Sequence, residues 1–241
     1  MNVQEATTRR LPDLKERHLP ENCRETINTI LKETYGYEQF RNLEIYDDLS
    51  KGKEKLCISQ GQLIENVILE AEKAWKGETQ VDNILLTAPT GSGKSLLFQL
   101  PAIYLGKEYN LLTIVVSPLK ALIVDQVESL QELGYARVAY ASSDLSPEQK
   151  MEVYRQVREG EIDLFYLSPE LLLSYDIKHF VGERRIGLVV VDEAHTVTTW
   201  GKEFRVDYWF LGRYLNTLKQ TLGYNFPLFA LTATAVWNPK G

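Results

Sequence analysis

Ile84-Leu-Leu-Thr-Ala-Pro-Thr-Gly-Ser-Gly-Lys-Ser95 is the stretch that decides the fold. A short apolar run, Ile84 to Ala88, gives way to a glycine-rich turn, which leads into the helical pattern LLFQLPAIYL. A strand that enters a helix through such a turn offers backbone N–H groups at the helix N-terminus, where an anion is favoured. Gly91 and Gly93 let the backbone close around phosphate. Lys94 is placed to reach the β- and γ-phosphates of a nucleoside triphosphate, and the Ser95 hydroxyl to hold Mg2+. Thr90, Gly91, Ser92, Gly93, Lys94 and Ser95 are therefore the candidate nucleotide-binding residues. The strict form of this loop begins with Gly, and here Ala88 stands in that place.

Downstream, short apolar runs alternate with longer helical stretches. LLTIVVS, ARVAYAS, DLFYLS, GLVVVD and PLFALTA read as strands, separated by helices such as LKALIVDQVESLQEL and SPEQKMEVYRQVREG. Continuously apolar strands with intervening helices predict a parallel sheet covered on both faces. Such sheets bind ligands beyond the carboxyl ends of their strands. Upstream, residues 1–25 form a charged arm without periodicity. Residues 26–80 read as a helical accessory region on the spacing of Ile27, Ile30 and Leu31 and of Leu63, Ile64, Val67, Ile68 and Ala71. Asp47 to Lys55 reads as a solvated turn, and residues 81–241 as the main α/β domain.

A triphosphate-binding loop needs a carboxylate for the metal and a second group to orient the attacking water. GLVVVDEAH supplies both immediately after an apolar strand: Asp192 to hold Mg2+ and Glu193 to polarise the water. His195, in the same D-E-A-H run, is placed to link the nucleotide site to nucleic acid.

Bulk composition narrows the class without naming it. The chain has 241 residues, 44% hydrophobic and 25% charged, with a net charge of −6. That charge argues against coating nucleic acid by bulk electrostatics but leaves room for a local groove. Cys23 and Cys57 form no CxxC pair, and His18, His179 and His195 have no metal-ligand spacing. With no apolar span and no apolar signal core, the sequence reads as that of a cytoplasmic protein.

Taken together, these residues resemble the superfamily 2 helicases, and more closely the RecQ family of DNA helicases, over about residues 35–236. TIVVSPLKALIVDQV looks like the family's motif Ia, FYLSPELLL like its S/T/A-P-E motif, and ALTATA like its motif III. The resemblance implies DNA-backbone contacts at Ser117 and Ser168, and a coupling role for Thr232 and Thr234. HTVTTWGKEFRVDYWFLG resembles the aromatic-rich loop that follows D-E-A-H in RecQ proteins, which makes Trp200, Phe204 and Arg205 candidate DNA sensors.

In RecQ proteins a G-Y-x-x-F-R stretch runs into P-G-Q, whose glutamine reads adenine. Gly36-Tyr-Glu-Gln-Phe-Arg41 matches the first part, with the glutamine displaced by an insertion. Gln62 is the preferred adenine reader, with Gln60 and Gln39 as alternatives. The implied fold is a three-layer, RecA-like P-loop NTPase domain with a small N-terminal helical region.

The implied activity is ATP-driven translocation on single-stranded or duplex DNA, stepping 3′ to 5′, with ATP and Mg2+ as cofactors and roles in DNA repair and recombination. Two other readings fit the motifs: an RNA helicase or remodelling ATPase of the same superfamily, and an ATP-gated regulatory module that does not translocate. Only a few residues follow ALTATA, so the resemblance further implies that a second RecA-like domain lies outside this chain. On that expectation the chain alone hydrolyses ATP poorly.

Overall fold

A computed structural model describes residues 23–46, 55–88, 91–193 and 201–232, with 45–46, 55–56, 201–210 and 212 as backbone only. Six parallel strands form the central sheet in the order β3-β8-β7-β4-β6-β5. They are β3 (Ile84–Thr87), β4 (Leu112–Val116), β5 (Val138–Ala141), β6 (Leu164–Leu167), β7 (Ile186–Val191) and β8 (Leu228–Thr232). The expected sheet is present, strand for strand.

Its two faces bury alternate residues, as the pleat requires. Leu86, Val115, Tyr166, Val190 and Leu231 pack on one side with α1 (Glu25–Tyr35), α2 (Gln60–Trp75), α3 (Leu96–Tyr109) and α4 (Lys120–Glu132). Ile114, Val116, Phe165, Leu167 and Val189 pack on the other. That second layer contains α5 (Pro147–Arg158), α6 (Pro169–Ser174), α7 (Ile177–Val181) and α8 (Gly201–Leu222). The result is three layers, helix–sheet–helix.

Helix α3, which follows the glycine-rich turn, is buried at every position from Leu96 to Gly106. An all-round apolar helix needs cover on every side. Here the sheet covers one side and α1 and α2 the other, so Ile27, Ile30, Leu31, Ile64, Val67 and Ile68 share one apolar cluster with α3. Helix α3 also runs close to the start of β6, where a Cβ on Gly106 would lie 2.2 Å from Asp163 Cγ. No larger residue fits there.

Three features depart from the sequence expectation. Between α1 and α2 lies an antiparallel pair, β1 (Asn42–Tyr46) and β2 (Lys55–Ser59), with Leu43 opposite Ile58. Residues 47–54 of the expected charged turn lie outside the described residues, and Lys55 belongs to β2. Arg24, counted with the loose arm, is anchored: its guanidinium meets Glu65 at 2.5 Å and Glu72 at 2.6 Å and hydrogen-bonds Tyr104. Residues 1–22 lie outside the described residues. The stretch after D-E-A-H, expected as a loop through Phe204 and Arg205, is helical from Gly201 onward. It contains no proline to interrupt the apolar spacing that Leu211, Leu215 and Leu218 continue into the core. No helix among the described residues is long and apolar enough to cross a membrane.

At the amino end of the sheet, a buried ionic cluster ties the starts of three strands together. Asp163, fully buried before β6, accepts from Tyr135 Oη at 2.8 Å, Arg137 Nε at 2.6 Å and Arg184 Nη2 at 2.9 Å. Arg184, itself buried, also donates to the carbonyls of Asn110, Val157 and Ile162. Deleting one partner of a buried ion pair leaves the other charged without compensation. Asp163→Ala is therefore expected to destabilise the fold by about 3–5 kcal/mol, seen as a lower urea midpoint at unchanged slope.

Candidate functional site

The candidate residues gather at the carboxyl end of the sheet. Ala88, just past β3, donates its N–H to Thr232 O at 3.0 Å, so the start of the glycine-rich turn is fastened to the last residue of β8. Gly91 and Gly93 adopt φ of +80° and +79°, the left-handed region that glycine enters without penalty. Lys94 donates from Nζ to Ala88 O at 3.0 Å, folding its ammonium back across the turn that phosphate would occupy. Ser95, immediately before α3, is already in helical conformation and makes no side-chain capping bond, so its hydroxyl is not committed to the helix. Pro89 and Thr90 lie outside the described residues.

Asp192 follows β7 and is 5% exposed. β8 stands between β3 and β7, so the strands that lead to Lys94 and Asp192 are separated by one strand. At ordinary strand spacing this puts their ends roughly 10 Å apart. Lys94 still acts electrostatically on Asp192.

Burial, and then the charge of Glu193, push the Asp192 carboxyl above the usual range. The Glu193 N–H, donating to Oδ1 at 2.9 Å, pulls it back, as do Gln126 and Lys94. Gln126 donates from Nε2 to Oδ2 at 3.4 Å. Glu193 itself has φ of +50°, a conformation that a non-glycine residue holds only when its surroundings enforce it. That turn sends the chain away from β7 directly beside the buried carboxylate.

Ser117 and Ser168 follow β4 and β6, and Thr232 ends β8, so all three share the sheet edge with Asp192. Ser117 is 1% exposed, and Ser168 caps α6 by accepting from the Leu171 N–H at 3.3 Å. His195, Trp200 and Thr234 lie outside the described residues, as do the side chains of Phe204 and Arg205.

The two glutamines at the start of α2 are engaged differently. Gln62 closes a capping box on α2, its Oε1 accepting from the Ser59 N–H at 3.1 Å. Gln60, 3% exposed, is the glutamine that touches the phosphate turn. Its Nε2 donates to Ser92 O and Gly93 O, both at 3.4 Å, and its Oε1 accepts from the Arg41 N–H at 3.1 Å. The signal was in the sequence: Ser59-x-x-Gln62 is a capping-box spacing, which engages Gln62 and leaves Gln60 for the turn. Gln126, inside the motif Ia stretch, was not anticipated.

Gly93→Ala combines a forced left-handed backbone with a Cβ 2.7 Å from Gln60 Nε2. The expected loss of stability is about 1–2 kcal/mol, with weaker nucleotide binding, measured by thermal unfolding and by titration with a fluorescent ATP analogue.

Comparison with known proteins agrees with this geometry. The chain is 34% identical over 217 residues to the ATP-dependent DNA helicase RecQ of Synechocystis, covering 88% of this chain and 38% of that protein. It is 31% identical over 210 residues to the RecQ of Haemophilus influenzae, covering 87% of this chain and 28% of that one. The chain thus spans well under half the length of these curated relatives. Among solved structures, the DUF1998 helicase MrfA bound to DNA matches 93% of this chain and 28% of its own, at 22% identity and a TM-score of 0.57, and so shares the fold. The model of the family described as DEAD/DEAH box helicase matches residues 63–240, nearly the whole of the sheet domain, and the chain belongs to that family.

Proposed function

We propose that this chain is the ATP-binding motor domain of a RecQ-like DNA helicase. The supporting observation is the pairing of Lys94, on a glycine turn held to β8, with the buried Asp192 one strand further on, close enough to act on its ionisation. DEAD/DEAH helicases use ATP, and the residues present suit it. Lys94 binds the β- and γ-phosphates, the turn's N–H groups surround them, and Gln60 reads the adenine edge with its amide. A buried carboxylate and a serine hydroxyl that makes no capping bond are hard-oxygen donors that suit Mg2+, with Asp192 and Ser95 as its holders. When bound, the ion neutralises charge that builds on the phosphates. Glu193 takes up the proton side of the reaction by orienting and polarising the attacking water.

DNA is assigned to the same sheet edge, with Ser168 and the backbone that follows the buried Ser117 on the strand's phosphates and Thr232 tying that side to the nucleotide. Both curated relatives are named DNA helicases, which favours DNA over RNA. His195, Thr90, Trp200, Phe204, Arg205 and Thr234 keep the roles the resemblance implies. A second RecA-like domain closing over the nucleotide completes the motor, and differential affinity of its open and closed states for DNA turns hydrolysis into 3′-to-5′ stepping.

A titration with a fluorescent ATP analogue and Mg2+ tests the reading directly. Lys94→Ala is expected to weaken binding at least tenfold, about 1.4 kcal/mol, and equal binding by the variant defeats the proposal. Gln60→Ala is expected to abolish the preference for ATP over GTP. Gln62→Ala should keep that preference and lower only stability, by about 1 kcal/mol. Oligodeoxynucleotide is expected to bind more tightly than an RNA of equal length, by fluorescence anisotropy at fixed salt.

A further inference from the structure

Asp192 sits at the end of a buried hydrogen-bond chain that crosses the molecule. Tyr35 Oη, on α1, donates to Gln99 Oε1 on α3 at 3.2 Å. Gln99 Nε2 donates to Tyr166 Oη on β6 at 3.2 Å. Tyr166 donates in turn to Gln126 Oε1 on α4 at 2.9 Å, and Gln126 Nε2 donates to Asp192 Oδ2 at 3.4 Å. Gln99 is 5% exposed and Tyr166 fully buried. Every donor in the chain points the same way, toward the carboxylate.

This direction has a consequence at each link. Tyr166 accepts a hydrogen bond from Gln99, so its own O–H points to Gln126. Gln126 then has its oxygen occupied by Tyr166 and must turn its NH2 toward Asp192. A flipped amide would set its oxygen against the carboxylate and its NH2 against the Tyr166 O–H, losing two bonds at once. Burial pushes the Tyr35 and Tyr166 hydroxyls well above the ordinary tyrosine range, so both remain protonated donors. With Oδ1 taken by the Glu193 N–H and Oδ2 by Gln126, the Asp192 carboxylate is held from both sides.

We propose that Gln126, set by Tyr166 and Gln99, is a positioning residue that orients Asp192 for Mg2+. The proposal rests on the reading of Asp192 as a metal holder, and it gives Gln126, Tyr166 and Gln99 a positioning role that the motifs themselves do not assign. Partners of a metal's ligands typically contribute 10–100-fold in metal affinity. A chain of aligned donors should act as one unit rather than as separate bonds.

The test titrates MgCl2 into this chain with a fluorescent ATP analogue and compares Tyr166→Phe, Gln126→Leu and the double variant, each also measured in EDTA. Gln126→Leu is expected to raise the Mg2+ half-saturation roughly tenfold. Tyr166→Phe should raise it by a smaller factor, and the double variant no further than Gln126→Leu alone. Metal-free nucleotide binding should stay at the wild-type level throughout, which a general packing defect would not allow. Half-saturation unchanged in the variants, a parallel loss of metal-free binding, or independent multiplication of the two effects overturns the relay. If Gln126→Leu does not fold, Tyr166→Phe, which removes one oxygen, decides alone by the same criteria. A wild-type chain whose nucleotide binding ignores Mg2+ overturns the reading of Asp192 itself, and the relay with it.

Discussion

When all strands of a sheet run the same way, every strand-to-helix connection emerges at the same end. That constraint organises this molecule. The turn after β3, the Asp192 corner after β7 and the serines after β4 and β6 are far apart in sequence, yet none can leave the carboxyl edge. Parallel pairing also requires both faces to be covered. This is why α3 is buried on all sides and why α1 and α2 belong to the same apolar cluster as the sheet. Chemistry at one edge and helices on both faces follow from a single choice of strand direction.

The two ends of the sheet treat polar groups differently. At the amino end, Asp163 and Arg184 are buried, paired and surrounded by carbonyls, so their charges satisfy one another. At the carboxyl end, Asp192 is nearly as buried but makes no ion pair to match that one among the described residues. Its compensation comes from an amide and a backbone N–H, with Lys94 acting from the neighbouring turn. A carboxylate desolvated in this way is costly unless a cation joins it. The first arrangement stabilises a fold, whereas the second is the one on which the proposed metal site rests.

Much of this was legible in the sequence, for identifiable reasons. Each of the six main strands is a dense apolar run bounded by turn residues, and such runs are difficult to misread. The β1–β2 pair was missed because Leu43 and Ile45, and Leu56 and Ile58, alternate over only five residues each, between two helices with stronger signals. The choice between Gln60 and Gln62 could not be settled by helical spacing, because both precede the same apolar face. It turned on which one closes the cap. Gln99, Gln126 and Tyr166 were illegible as a group. They lie on three different elements, and only the folded chain brings them into line.

The bond between the Ala88 N–H and Thr232 O is a single backbone contact, but it makes the phosphate turn and the end of β8 one mechanical part. The carbonyl of that same Ala88 is where the Lys94 ammonium rests. The two groups belong to the peptide units on either side of the Ala88 Cα, so only the φ and ψ of one residue lie between the strand's grip and the lysine's resting place. A shift at the tip of this strand therefore reaches the Lys94 ammonium through a single residue.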